Sequence, residues 1–322
     1  MNNAETFPVD VEVERDWLTA HKADARLSWK ELGAKVGVPE GTLSTFGTGS
    51  YAGNNERVAR SVFRYRQMLD SQAERSVGIL AEPGYFVTPT SRRLHGLMVY
   101  AQMGRITVGA TGPGTGKTMT MREYAASSSN VWIATMWESD KTLSAMITKV
   151  LGAIGDSPKF GRRADLSRQV ADKIRGRRGL LVIDEANHLT SECLEEIRGW
   201  HDVEGGPGVC LLGNEELLMR IESGAKQHAY GRLNSRIAQR LIQNLPEEGD
   251  VEAFCDAWGL PDPGMRTLLA RIAMTPGTGG LRECRQIVEQ ASMLAADDNR
   301  PLTIADLKDA QSTRATRHIR TS

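Results

Sequence analysis

The chain has 322 residues, and its 40 Lys and Arg balance 40 Asp and Glu to a formal net charge of zero. That length holds two or three domains with a substantial core, and the charge balance excludes a globally basic nucleic-acid coat. Four scattered cysteines (Cys193, Cys210, Cys255, Cys284) form no C-x-x-C pair, which argues against zinc sites and a disulfide framework. A polar, acidic N-terminus and the lack of any membrane-length apolar run lead us to expect a soluble protein of a reducing cytoplasm.

Residues 1–75 read as an all-α domain. Ser28 with Glu31 three residues on is a capping box, and Gly37 is a natural stop for the helix it opens. Pro39 through Phe46 gives a short second helix, with Pro39 early, where its missing N–H costs nothing. Helix, glycine turn and short helix outline a helix-turn-helix, whose second helix usually enters the major groove. Its exposed candidates Glu40, Thr42, Ser44 and Thr45 are short and mostly neutral, so weak base preference is expected. Lys30, Lys35, Arg57, Arg60, Arg64 and Arg66 are candidates for phosphate contact. A small helical bundle that docks protein has the same pattern.

Residues 76–95 read as a linker punctuated by Pro83-Gly84 and Thr88-Pro89. Within it, Tyr85-Phe86-Val87 is apolar and suits either a nucleotide base or the edge of a sheet.

Residues 96–245 carry the strongest signal. Apolar strand candidates at 106–110, 131–134, 180–183 and 209–212 alternate with helical patterns such as Leu143, Ile147, Val150 and Leu151, which predicts a doubly wound parallel sheet. The first strand leads into Gly112-Pro113-Gly114-Thr115-Gly116-Lys117-Thr118, and a helix follows. A glycine turn at a helix N-terminus presents backbone N–H groups and the positive dipole end to an anion. Lys117 then reaches the β/γ-phosphates and the Thr118 hydroxyl ligates Mg²⁺. The usual pattern begins with glycine where this chain has Thr111. Asp184 and Glu185 close the third strand, where Asp184 would meet Mg²⁺ and Glu185 would polarise the attacking water. Asn214, after the fourth strand, is placed to contact the γ-phosphate and that water, although Gly-Asn is also a common turn.

A basic run spans 159–178, and Lys159, Arg162, Arg163, Arg168 and Lys173 within it are candidates for a DNA-facing surface, or for a merely solvated face. Arg232, Arg236 and Arg240 are spaced for one helical face. Such a stripe is either solvated or carries an arginine finger for a neighbouring subunit's nucleotide, with Arg236 preferred over Arg232.

Residues 246–322 read as a helical unit with Val251, Phe254 and Trp258 on one buried face and Leu268, Leu269 and Ile272 on another. Arg282 sits in the first turn of a helix, where the dipole disfavours a cation, so a bound anion such as a triphosphate explains it better. Thr303 and Asp306 suggest one more capped helix, and Arg314, Arg317 and Arg320 follow.

Together, GPGTGKT (112–118), LLVIDEANHL (180–189), LLGN (211–214), RLNSRI (232–237) and GGLREC (279–284) resemble the AAA+ ATPase family. YAGNNERVARSV (51–62), REYAASSSNVWIAT (122–135) and SRIAQR (235–240) extend the resemblance, over about residues 25 to 300, to the target-selection ATPases of phage DNA transposition. The resemblance implies an α/β fold: a parallel αβα nucleotide-binding core, a C-terminal helical lid and an N-terminal helix-turn-helix domain. It also implies ATP and Mg²⁺ as cofactors, sequence-non-specific binding of double-stranded DNA, ATP-dependent oligomers or helical filaments, and stimulation of a DDE transposase. A helix-turn-helix transcription regulator with an ATPase switch, or a helicase or clamp loader of replication, are the alternative functions.

Overall fold

The computed structural model describes residues 9–76, 80–159, 161–226 and 230–314. Arg317 and Arg320 lie outside the described residues, as do residues 77–79 of the expected linker. The chain divides into two compact units, residues 1–79 and residues 80–322.

In the first unit, α1 (Val11–Asp24), α2 (Trp29–Val36), α3 (Glu40–Gly47) and α4 (Asn55–Ser76) enclose a core built on Leu18, Leu32, Leu43, Phe46 and Val62. The Ser28 hydroxyl accepts from the Glu31 N–H at 3.2 Å while Glu31 accepts from the Ser28 N–H at 2.8 Å, so the expected capping box starts α2. Gly37, at φ 75°, ends it in the left-handed conformation that glycine adopts without steric cost. Helix α3 follows after Val38 and Pro39. Lys30, Lys35, Arg57, Arg64 and Thr45 are exposed, with Thr42 and Ser44 half-buried. The Thr45 hydroxyl donates to the Gly41 carbonyl of its own helix at 2.8 Å. Arg66 instead pairs inward with the buried Glu14 at 3.3 Å and lies over the Trp17 ring.

The second unit follows the order α5 (Pro89–Gln102), β1 (Ile106–Thr111), α6 (Lys117–Ser127), β2 (Val131–Thr135), α7 (Leu143–Ala153), α8 (Arg163–Ile174), β3 (Leu180–Asp184), α9 (Ser191–Asp202), β4 (Gly208–Gly213), α10 (Glu215–Lys226), α11 (Gly231–Arg236) and β5 (Ile237–Gln243). The strands pair in parallel in the order β2-β3-β4-β1-β5. Strands β1, β3 and β4 are buried along their whole length, which is why they read as unbroken apolar runs. One face of the sheet packs on α7 to α10 through Val108, Ile147, Ile183 and Leu218. The other packs on α5 and α6 through Leu97, Met98, Met121 and Tyr124. This is the expected αβα core, with one strand more than the four read from the sequence.

That fifth strand overturns the reading of 232–240 as one helical face. The helix stops at Arg236, and Arg240 lies on β5 beside Val108 of β1. Exposed and half-buried residues dominate β5, as expected of an edge strand, so its sequence lacks the apolar run that betrays a central one.

A helical lid follows: α12 (Glu248–Ala257), α13 (Pro263–Ala273), α14 (Leu281–Asp297) and α15 (Ile304–Arg314), cored by Phe254, Trp258, Leu269 and Ile287. The segment read as linker joins this lid. Phe86 packs edge-on against Phe254 of the lid with ring centroids 6.2 Å apart, rather than on the sheet edge that was one of its two expected partners. Residues 89–95 belong to α5, where the Thr90 N–H donates to Asp250 of α12 at 2.8 Å. Arg300 holds Asp306 through two hydrogen bonds of 2.7 Å and keeps its carboxyl well below the usual range. All four cysteines are buried, and burial pushes the thiols of Cys210 and Cys284 up to about 12 and that of Cys255 to about 11.

Candidate nucleotide site

At the carboxyl ends of β1, β3 and β4 the chain leaves the sheet into three successive turns, the position where open α/β sheets bind ligands. A cavity of about 480 Å³ opens there between sheet and lid. Lining it are residues 113–118, Glu185, Asn214 and Arg282, the candidates from the sequence, with Tyr85 and Phe86, for which a base was one expected partner, and with Met119, Thr120, Glu82, Trp258 and Arg285.

The phosphate loop explains its own composition. Thr111 still belongs to β1 and is 1% exposed; its hydroxyl shares a 2.8 Å hydrogen bond with that of Thr115. A side chain is therefore accommodated where glycine is usual. The glycine requirement falls on Gly112, where a Cβ would lie 1.9 Å from the Asn244 carbonyl oxygen. It falls also on Gly114, at φ 69°, where a Cβ would lie 2.0 Å from the Gly279 carbonyl oxygen. Helix α6 then starts at Lys117 without a side-chain cap, leaving its first N–H groups to the cavity.

Lys117 rests on the loop, donating to the Thr111 and Gly112 carbonyls at 2.6 and 3.1 Å. Burial pulls its ammonium below the ordinary lysine value, against the opposing pull of Glu185 and Asp184, and Arg282 adds to the depression. Asp184 is 3% exposed, and its Oδ1 has no hydrogen-bond partner. Desolvation, then the neighbouring Glu185, pushes its carboxyl above the ordinary range. Glu185 takes a left-handed backbone (φ 53°, ψ 39°), unusual for a residue with a side chain and costing on the order of 1–3 kcal/mol. Such strain aims a side chain that an ordinary strand end would not.

An orphaned carboxylate oxygen on Asp184, with Thr118 on the cavity wall, is the kind of donor set an Mg²⁺ ion needs, because Mg²⁺ takes one or two protein oxygens and fills its remaining sites with phosphate and water. The residues present fit that ion.

Two family models match the chain: one described as an AAA domain over residues 106–221, the other as the C-terminal part of the Mu B transposition protein over residues 235–313. The Mu-like prophage FluMu DNA transposition protein B of Haemophilus influenzae is 33% identical over 82% of this chain and 91% of its own. The chain belongs to the Mu B transposition protein family. Other members are the ATP-dependent target DNA activator B proteins of Escherichia phages D108 and Mu, each 34% identical over 83% of this chain and 84% of theirs. In this Mu B family chain the AAA match covers all but the last strand of the sheet, and the second match runs from the end of α11 through the lid.

Arg236 is not among the residues that line the cavity. It is half exposed, with Nε donating to Asp202 at 3.1 Å. Burial alone would push Asp202 up, but the guanidiniums of Arg236 and Arg198 hold it below the usual range. Arg232 is exposed, and Arg240 bonds Asn234 at 2.7 Å. Lys159, Arg162, Arg163, Arg168 and Lys173 are all exposed near or on α8, with Lys173 paired to Asp156 at 3.4 Å and Arg163 to Glu192 at 4.0 Å. Arg285 was missed in the sequence analysis. It lies one turn beyond Arg282 and pairs with Glu82 at 2.7 Å on the cavity wall, and that i, i+3 spacing was the available signal.

Proposed function

We propose that this protein is an ATPase that activates target DNA for transposition, as the names of its relatives say of them. The observation that carries the reading is the cavity itself. It brings Lys117, Glu185, Asn214 and Arg282 together next to Asp184, whose Oδ1 has no partner, in a chain of the Mu B family.

In the proposed reaction, the N–H groups of residues 112–118 bind the phosphates, and Lys117 leaves its two carbonyls for the β/γ-phosphate oxygens. Thr118 and Asp184 hold Mg²⁺, which when bound neutralises charge on those oxygens. Glu185 accepts a proton from the attacking water, Asn214 orients that water, and Arg282 pairs the γ-phosphate from the lid. Water oxygen bonds to the γ-phosphorus as the bond to the β–γ bridging oxygen breaks, leaving ADP and phosphate. Arg236, released from Asp202, completes the site of the next protomer in an ATP-dependent oligomer or filament. The assembled surface binds double-stranded DNA without sequence preference and presents it to a DDE transposase. Lys159, Arg162, Arg163, Arg168 and Lys173 face that DNA, as do Lys30, Lys35, Thr42, Ser44 and Thr45 of the helix-turn-helix. Many copies of a modest basic patch suffice for this, so zero net charge per chain is no obstacle.

Lys117→Ala is the test. Hydrolysis and ATP-dependent retention of duplex DNA on a filter should both disappear; unchanged DNA retention with ATP would defeat the proposal.

A further inference from the structure

Arg220 on α10 takes no direct part in the nucleotide site, yet it touches the turn that carries Glu185. Its Nη1 donates to the Asn187 carbonyl at 2.6 Å, and its Nη2 donates to the Leu189 carbonyl at 2.7 Å and to the Tyr230 hydroxyl at 3.2 Å. Among the described residues its hydrogen bonds go to these three acceptors and to no carboxylate, although the side chain is half-buried. A half-buried guanidinium ordinarily pairs with an acid; this one is satisfied by two backbone carbonyls and a phenol. The two carbonyls lie in and just after the 3-10 turn Ala186–His188, which begins immediately after the left-handed Glu185. Asn187 in that turn has a buried Oδ1 with no partner, so its side chain does not hold the turn, while His188 Nδ1 lies 3.4 Å from Glu138.

The third acceptor leads elsewhere. Tyr230 is buried and immediately precedes α11, and its carbonyl accepts the Asn234 N–H at 2.8 Å. Asn234 in turn holds Arg240, and the helix ends at Arg236. One planar fork therefore ties the turn behind Glu185 to the short helix that bears the proposed finger.

We propose that Arg220 is a positioning residue that couples the two. The state of a protomer's own catalytic turn sets the arginine it offers to its neighbour. This rests on the reading of Arg236 as a finger acting in trans. A guanidinium reaches three acceptors in two segments through rigidly spaced donors, whereas a lysine ammonium on a flexible stem does not hold them in fixed register. When Glu185 engages water the turn moves, the carbonyls of Asn187 and Leu189 move with it, and Arg220 carries the displacement to Tyr230 and α11.

Mixed assemblies separate this from a local structural role. Wild-type protomers are mixed with a tenfold excess of Glu185→Gln protomers, which turn over poorly but keep Arg236, and ATP hydrolysis by the wild-type sites is measured. Adding Arg220→Lys to the Glu185→Gln donor should lower wild-type turnover by roughly tenfold or more, the equivalent of one lost charge-assisted hydrogen bond, with KM for ATP unchanged. Unchanged wild-type turnover overturns the proposal, because a purely local role would act only in the donor's own, already silent site. Tyr230→Phe in the same donor removes only the phenol contact and should give a smaller loss of the same kind. It decides the matter if Arg220→Lys does not fold, and no loss there overturns the coupling. A third donor, Glu185→Gln with Arg236→Ala, reports on the finger alone. If it sustains wild-type turnover in full, the trans reading has failed and the coupling with it; if it does not, an inert Arg220→Lys counts against the coupling only.

Discussion

The phosphate-loop cleft and the N-terminal helical unit set their polar groups in different surroundings. In the cleft, Asp184 is buried with an unpartnered oxygen, Lys117 leans on backbone carbonyls, and Glu185 sits in a strained conformation. In the N-terminal unit Ser28 and Glu31 close a capping box on each other, Thr45 bonds back to its own helix, and Arg66 turns inward to Glu14. Both units hold buried atoms without a partner, Glu14 Oε2, Asn55 Oδ1 and Arg60 Nε in the N-terminal unit among them. In the cleft, however, such an atom stands at a strand end that leads into the phosphate-loop cavity, where a ligand can supply the missing partner.

Four measurements break or sharpen that contrast, from the largest expected effect to the smallest. Arg236→Ala should reduce hydrolysis by assembled protein about 10³-fold or more, the range of a lost arginine finger, while ATP binding by single protomers is unchanged. A stopped-time phosphate assay across protein concentration reads it, and full activity would move the finger to Arg232 or elsewhere. Glu185→Gln should lower kcat by about 10²–10⁴ while a fluorescent ATP analogue still binds, and normal turnover would remove Glu185 from the role of base.

Asp184→Asn tests the orphaned carboxylate directly. A carboxyl whose folded value is raised contributes stability below its unfolded pKa and loses it as pH climbs through the folded value. The nucleotide-free variant should therefore melt a few degrees higher than the parent near neutral pH, on the order of 1–3 kcal/mol, and the gap should close toward about pH 4. A gap that is constant with pH would place the strain elsewhere. In the N-terminal unit, Lys30→Ala with Lys35→Ala should weaken DNA retention only modestly and flatten its salt dependence by about two counterions at most. A complete loss of DNA binding from that pair would reverse the contrast.

The sequence showed the chemistry of the cleft more clearly than the path of the chain around it. Lys117, Thr118 and Arg282 were singled out from residue type and spacing, and the fold gathers them on one cavity because each follows a turn at the carboxyl end of the sheet or at the start of a lid helix. Strand β5 was not readable, because an edge strand half open to water lacks an apolar run, and its arginines imitate a helical stripe. Phe86 was ambiguous for a related reason: an aromatic between two breakers carries no periodicity, and only tertiary packing decides that Phe254 covers it. Thr111 stood out as a departure from the usual glycine of the loop. Its partner Thr115 lies four residues away, and no pattern of residue types foretells a bond between two hydroxyls.

The buried thiols carry a practical consequence. With Cys210, Cys255 and Cys284 held at about 12, 11 and 12 and Cys193 sealed in the core, almost no native thiolate meets a maleimide dye at neutral pH. A cysteine introduced at Met103, 73% exposed, should accept a fluorophore selectively in the otherwise unaltered chain. Energy transfer between labelled chains would then test the proposed assembly on DNA, with none of the four native positions removed.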